Sequence, residues 1–171
     1  MLSATVTAGE QYRVSSIRWA GSDVFSTEDF NKGLKLHDRD LASAAALQAS
    51  LQPLRDAYSQ HGYVDATVIP LVQKDKSAQT VAYSVEVHPG AVYHVASVKT
   101  TGLSGPAQKE FDANWRLKPG AVYDAGYGMG FLQMNTALRS LAQYTGKVDA
   151  VSHPETHTTD VTVTFFANNP R

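Results

Sequence analysis

The sequence contains no cysteine among its 171 residues. This absence excludes a disulfide scaffold, a zinc site built on thiolates and a thiol nucleophile, and it is compatible with any compartment. No stretch approaches the ~20 apolar residues that a helix needs to cross a bilayer. Neither a basic n-region nor an apolar h-region follows Met1, so we expect either a cytosolic protein or a mature fragment whose leader has been removed.

The chain also lacks an excess of charge, with 15 Lys and Arg residues against 16 Asp and Glu residues. Binding nucleic acid through bulk electrostatics requires a basic face, so this class of function is excluded. Hydrophobic residues make up 43% of the chain and charged residues 18%, a balance that favours a packed core over disorder. The length suits one ordinary domain or two small ones.

An internal repeat is the most informative feature of the sequence. The pattern Tyr-x-Val-x-x-Ile/Val-x-x-x-Gly begins at Tyr12 and begins again at Tyr93, 81 residues later. Further on, Gly-x-Val-Asp-Ala occurs at 62–66 and, 84 residues later, at 146–150. The change of offset predicts about three extra residues in the second copy, near 119–123. We therefore predict two domains, residues 10–90 and residues 91–170.

Each copy is predicted to fold in the order β-α-α-β-β. The β-branched and aromatic residues 12–19 favour a strand, and Ser26 is a natural helix N-cap flanked by the apolar pair Phe25 and Phe30. Apolar residues at helical spacing predict a long second helix in both copies, over 47–58 and 131–144. Pro53 is expected to kink or split the first of these helices.

Two further strands are predicted to complete each copy, and Gly62 and Gly146 are expected to cap the preceding helices. These strands cover 64–72 and 80–87 in the first copy, and 148–153 and 160–166 in the second. Pro70 and Pro154 fall at the same place in the second strand of each copy. Because proline cannot donate to a ladder, we predict that this strand lies at the sheet edge and the third at its centre.

Taken together, these features resemble the POTRA (polypeptide-transport-associated) domain. The resemblance rests on the element order, the opening pattern, and two segments: Leu54-x-x-x-Tyr58-x-x-x-Gly62-Tyr63-Val64-Asp65-Ala66 and the ending Val-x-Tyr-x-Val-x-Val-x-Pro-Gly at 81–90. It covers the chain from about Tyr12 to Pro170 as two tandem copies, although the second has Gly146-Lys147 in place of a Gly-Tyr pair. It implies an α+β fold, with two tandem domains that each pack a three-stranded mixed sheet on two helices.

The resemblance also implies a function. Such domains are non-enzymatic, lie in the periplasm of Gram-negative cells, and precede the membrane barrel of outer-membrane assembly and secretion factors of the BAM, TAM and two-partner-secretion types. We therefore expect this chain to be either the soluble arm of a longer protein whose membrane barrel lies outside this sequence, or a free-standing tandem. The expected partners are unfolded outer-membrane or secreted polypeptides and accessory assembly proteins, with no nucleic acid and no cofactor. The alternative is a structural docking or spacer arm that binds one folded partner, as in cell-division or secretion scaffolds.

The predicted mechanism is strand augmentation, in which an extended client pairs with the open edge of a sheet. The predicted binding residues form one segment in each copy: Val64, Asp65, Ala66, Thr67, Val68 and Ile69, and Val148, Asp149, Ala150, Val151 and Ser152. Pro70 and Pro154 would limit the length of client that pairs there. An equally weighted alternative is that the prolines protect these edges from unwanted pairing. The groove between the edge strand and the long helix is a second candidate surface.

Other motifs give only weak support for a catalytic, metal-binding or nucleotide-binding site. His153 and His157 have a His-x-x-x-His spacing, but Pro154 lies between them and no glutamate completes the zinc-protease pattern. We therefore predict no metal site, and a histidine-based metal enzyme or hydrolase stands as a third hypothesis. The glycine-rich residues 126–130 follow no predicted strand, as a dinucleotide site would require. The acids form no catalytic pair, and the equivalent positions of Asp65 and Asp149 favour a structural role.

Overall fold

The structure is a computed structural model that describes residues 10–134 and 137–168. Both copies have the predicted β-α-α-β-β order, and the predicted α+β class is confirmed. The first copy comprises β1 (Arg13–Ala20), α1 (Thr27–Lys32), α2 (Ala44–Gln60), β2 (Thr67–Asp75) and β3 (Thr80–His88). The second comprises β4 (His94–Thr101), α3 (Gly105–Asn114), α4 (Tyr127–Met134), β5 (Tyr144–His153) and β6 (Thr158–Ala167).

The chain divides into two compact units. The first contains the described residues up to Arg55 together with Thr67–His88. The second contains Asp56–Ala66 and the described residues from Pro89 onwards. The end of α2 and the turn after it therefore group with the second unit. The domain limits 10–90 and 91–170 stay a prediction.

Each unit contains one three-stranded mixed sheet. The strand orders are β1-β3-β2 and β4-β6-β5. The central strand pairs in parallel with the first strand of its copy and antiparallel with the second. The prediction that the third strand is central and the second lies at an edge is confirmed.

The first strand carries the same irregularity in both copies. The register shifts between Val14 and Ser16 in β1, and between Val95 and Ser97 in β4. A β-bulge of this kind bends a strand and strengthens its twist. The two bulges lie 81 residues apart, which is also the offset between the opening sequence patterns. The first strands of the two copies therefore correspond in structure as well as in sequence.

The second helices differ in length, contrary to prediction. α2 is a single helix of 17 residues that continues through Pro53, whereas α4 has only eight residues. Residues 138–143 form turns, with Leu141 fully buried. The predicted long helix over 131–144 is wrong, because α4 contains two glycines that each cost about 1 kcal/mol of helix stability relative to alanine and β5 already begins at Tyr144.

The alignment of the second strands is also different from prediction. Gly62 has a φ of 88° and ends α2, with the Tyr63 N–H donating to the Tyr58 carbonyl at 3.0 Å as in a Schellman cap. Gly146 instead lies inside β5, opposite Phe165. The predicted cap at Gly146 is therefore wrong. The Gly-x-Val-Asp-Ala match aligns a turn in the first copy with a strand in the second.

The hairpins of the two units are related by an offset of 78 residues. Pro70 lies opposite Val85 in the first sheet, and Val148 lies opposite Val163 in the second. Pro154 lies in the turn after β5, so the predicted equivalence of Pro70 and Pro154 is wrong. The offset of 81 still holds at the isolated bridges of Leu41 and Val122, so the predicted insertion at 119–123 is wrong as well.

One face of each central strand forms the core beneath the helices. In β3 the alternate residues Val81, Tyr83, Val85 and Val87 are buried, as their period of two predicts. In the second unit, Phe111 stacks on Trp115 with ring centroids 5.0 Å apart. No helix in the described part of the chain is long and apolar enough to cross a membrane.

Candidate polypeptide-binding edges

The structure places only part of the first predicted binding segment in a strand. Thr67, Val68 and Ile69 begin β2, whereas residues 64–66 lie in the turn before it. The Ala66 N–H donates to the Tyr63 carbonyl at 3.2 Å, so this backbone is folded on itself. The prediction that 64–66 are edge-strand residues is wrong. The second segment, 148–152, lies wholly within β5.

Asp65 instead has a local partner in the second unit. Its carboxylate accepts a short hydrogen bond from the Tyr93 hydroxyl. This hydrogen bond, helped by burial, raises the pKa of Tyr93 to about 12. Asp149, which the sequence match paired with Asp65, lies in the middle of β5 and forms an ion pair with Lys147 at 2.7 Å. The two aspartates are therefore not structurally equivalent.

The contacts of the glycines that follow β1 and β4 show which way the peptide groups of the two central strands point. A Cβ at Gly21 would lie 2.7 Å from the Val87 carbonyl oxygen, and Gly102 abuts the carbonyl of Phe165 in the same way. The odd-numbered residues of β3 and β6 thus present their peptide groups to β1 and β4. Their even-numbered residues face the hairpin partners.

The same parity extends to the edge strands. Opposite residues in an antiparallel pair exchange both backbone bonds or neither. The even-numbered residues of β3 lie opposite odd-numbered residues of β2, and the even-numbered residues of β6 lie opposite odd-numbered residues of β5. The even-numbered residues of both edge strands therefore point their N–H and C=O groups away from the sheet. An incoming strand would pair with these groups.

The outward row of β2 is interrupted. The Val68 carbonyl accepts a hydrogen bond from Nη2 of Arg55 on α2 at 3.2 Å, and Val68 is only 6% exposed. Pro70, the next outward residue, has no N–H to donate. Two successive positions are thus closed in part, which leaves Val72 and Lys74 as the outward residues with both groups present.

The outward row of β5 is continuous. At Tyr144 the N–H already donates to the Leu141 carbonyl at 2.9 Å, and the row then continues through Gly146, Val148, Ala150 and Ser152, none of which is proline. Within the described ranges, no other backbone or side-chain group hydrogen-bonds to the outward peptide groups of these four residues. Ala150 is exposed. β5 therefore offers an unpaired ladder through the segment that the sequence analysis singled out.

The side chains beside the two edges also differ. On the face of β5 away from the helices, Lys147 and Asp149 form their ion pair and Val151 is 58% exposed. On β2, Ile69 and Leu71 are 43% and 47% exposed. Both edges thus combine open backbone with accessible apolar side chains.

A groove of about 570 Å³ lies between β2 and the start of α2. Leu47 and Val72 line it, and the Lys74 ammonium lies 5.5 Å from the centre of the Tyr12 ring at its side. It corresponds to the groove predicted between the edge strand and the long helix. The sequence pattern did not identify Arg55 as a residue of this site, because its contact with β2 depends on how α2 packs against the strand.

A polar cluster lies at the far end of β5. The Ser97 hydroxyl donates a short hydrogen bond to Asp160, and His153 Nε2 lies 3.0 Å from the same carboxylate. These contacts, with that of Ser97 the larger, hold the pKa of Asp160 below its ordinary value of 3.8. Asp160 lies between the other two, so His153 does not contact Ser97 as a general base would contact a nucleophile.

Across the described ranges, no group of three or more His, Cys, Asp or Glu side chains is arranged to hold a metal ion. His157 instead packs edge-on against the Tyr93 ring, with centroids 5.6 Å apart.

Comparison with known proteins agrees with this architecture. Residues 12–90 match the family described as POTRA, surface antigen variable number repeat. A protein named putative outer membrane protein assembly factor, from Treponema pallidum (strain Nichols), is 27% identical over 122 residues, which are 71% of this chain. The chain spans only 15% of the length of that protein.

Solved structures give the same result for the fold. A fragment of BamA from Haemophilus influenzae, POTRA3-5, superposes with a TM-score of 0.63 at 17% identity, over 93% of this chain and 67% of that one. BamA from Haemophilus ducreyi lacking POTRA domains 1-3 gives a TM-score of 0.67 at 16% identity, over 92% of this chain and 30% of that one. Residues 12–90 thus match the POTRA family model, and both units together have the fold of the tandem POTRA domains in these solved structures.

Proposed function

We propose that this chain is a non-enzymatic, periplasmic polypeptide-binding module of an outer-membrane protein assembly or secretion factor. It receives unfolded client or partner chains by adding their extended segments to its sheet edges. Main-chain hydrogen bonds supply the affinity in this mode of recognition, so clients of many sequences are accepted. The family and the name of the Treponema pallidum relative support this role.

One observation carries the proposal. In both sheets the second strand of the copy lies at the edge and directs alternate peptide groups away from the sheet. Unpaired N–H and C=O groups at regular spacing are complementary to another extended chain and to little else. Exposed apolar side chains beside these groups, such as Leu71 and Val151, add contact area for a client strand.

The proposal is tested by amide NMR of the 15N-labelled chain. The probe is an acetylated heptapeptide of alternating valine and threonine with a lysine at each end. The control is the same peptide N-methylated at every valine and threonine, which keeps the side chains and removes the main-chain donors of these residues on both edges. We expect shift changes along β2 or β5 with the first peptide and none with the second. Equal binding of both peptides, or changes scattered away from both edges, would refute strand augmentation.

A docking or spacer arm that binds a folded partner is the second candidate. It is favoured by an apolar groove of about 370 Å³ whose lining includes Phe131 and Met134, the latter 71% exposed. This role predicts a complex with a folded protein that is lost on Met134→Asp substitution. It also predicts that the heptapeptide does not bind. The two candidates thus differ in both the ligand and the residue that matters.

A further inference from the structure

We propose that the two edges are functionally unequal, and that clients pair with β5 of the second unit while the β2 edge is closed over its first half by Arg55 and Pro70. This inference rests on the proposed function, since it names which of the two edges performs it. The occupant is an extended polypeptide segment of about five to seven residues.

The closure of β2 has two independent parts. Arg55 reaches the Val68 carbonyl from α2 at 3.2 Å, so an incoming donor would compete with a charged group already in place. Pro70 removes the next outward donor altogether. An incoming strand would therefore leave two of its own polar groups poorly paired at adjacent positions, and unpaired buried polar groups are costly.

β5 has neither obstacle. Four successive outward residues, from Gly146 to Ser152, keep both peptide groups. Pro154 does not shorten this row, because it lies in the turn beyond the end of the strand. The length of the row sets the length of the client segment, because pairing with alternate residues over 146–152 occupies about seven residues of an extended chain.

Val151 gives the edge a preference among clients. Its peptide groups face β6, so the client residue opposite it forms a non-hydrogen-bonded pair, in which side chains lie closest. Val151 is 58% exposed, so an apolar client residue there covers apolar surface. Lys147 and Asp149 already neutralise one another at 2.7 Å, whereas Asp160, directly opposite Val151 on β6, places a carboxylate beside this position.

The first test removes one outward donor from each edge. Ala150→Pro removes an outward N–H from β5, and Val72→Pro is the matched change in β2. Proline is accommodated at such a position, as Pro70 demonstrates. We expect Ala150→Pro to weaken binding of the alternating valine–threonine heptapeptide by about tenfold or more, and Val72→Pro to change it by less than about twofold. Circular dichroism and the thermal midpoint check that both variants fold.

A second test opens the β2 edge instead of blocking the β5 edge, and it does not depend on the folding of Ala150→Pro. The double variant Arg55→Ala, Pro70→Ala restores a continuous outward row in β2. We expect a second set of peptide-dependent amide shifts along β2 in this variant, in addition to those along β5.

The possible outcomes separate the inference from the proposed function. Binding that survives Ala150→Pro and is lost in Val72→Pro would overturn the assignment to β5 while leaving strand augmentation intact. No shifts at either edge, even in the double variant, would refute the proposed function itself. A concentration-dependent dimer of the unmodified chain that Ala150→Pro abolishes would make a second copy the occupant, and would overturn the assignment of an unfolded client.

Discussion

The two copies in this chain have the same sheet topology, but they differ in the length of the second helix and in the chemistry of the edge strand. Both have the bulge after the first valine of the opening strand, and both end that strand at a glycine with positive φ packed against the carbonyl of the central strand. Yet α2 has 17 residues and α4 eight. The contrast indicates that bulge, glycine and strand order define the fold, whereas helix length and edge chemistry are free to change.

The glycine shared by the two units gives the largest predicted effect. Gly102→Ala places a methyl group on the Phe165 carbonyl at a φ of 84°, and we expect the free energy of unfolding to fall by about 2–4 kcal/mol. Gly21→Ala should act in the same direction with a smaller loss, because its Cβ would lie 2.7 Å from the Val87 oxygen. Urea unfolding of each variant measures both losses.

Gly130→Ala is the control for this comparison. Gly130 lies in α4, and a Cβ there would meet no atom within 4 Å. We expect the substitution to leave stability unchanged or to raise it by up to about 1 kcal/mol. Similar losses at Gly102 and Gly130 would contradict the view that the close approach of the strand requires glycine.

The caps of the first helices give a smaller effect. Ser26 and Asp29 form a reciprocal capping box at α1, with the Asp29 N–H donating to the Ser26 hydroxyl at 3.2 Å. At α3 the equivalent Ser104 makes no side-chain cap. Ser26→Ala should therefore cost about 1 kcal/mol, and Ser104→Ala no more than a few tenths. Equal losses in thermal unfolding would show that the two caps do not differ.

The smallest predicted effect is a pH dependence of stability. It is expected only in the second unit, because in the first unit Ala82 occupies the position equivalent to that of Asp160. The pKa of folded Asp160 is below 3.8, held down by Ser97 and His153. Its stabilising contribution is therefore complete above about pH 5 and is lost as the pH falls through 3.8 to the folded value. Asp160→Asn should flatten this part of the pH dependence of unfolding, measured with the amide signals of β6.

The sheets could be predicted from the sequence because their signals are local. Val81 to Val87 alternates with small or polar residues over a full strand, and the Ser26 cap with its flanking phenylalanines identifies the start of a helix within a few residues. Pro70 correctly indicated an edge strand, because the proline constraint acts on the residue itself. These inferences needed no knowledge of the remainder of the chain.

The second half of the second unit could not be aligned from sequence in the same way. The recurrence of Gly-x-Val-Asp-Ala at 146–150 predicted a helix cap at Gly146 and a strand only from Val148, yet β5 already begins at Tyr144. A short motif carries too little information to choose between a turn and a strand when the helix before it has changed length. The closure of β2 was also not predictable, because it depends on the packing of Arg55 across the strand.

The chain has two tryptophans, one in each unit. Trp115 is 2% exposed and donates its indole N–H to the Leu117 carbonyl, whereas Trp19 is half-buried beside Phe30 and bonded to Asn31. Iodide in solution should therefore quench the fluorescence of one indole and spare the other. The unmodified chain thus carries its own optical reporter for each half, so that the unfolding of each can be followed without cutting the protein or attaching a dye.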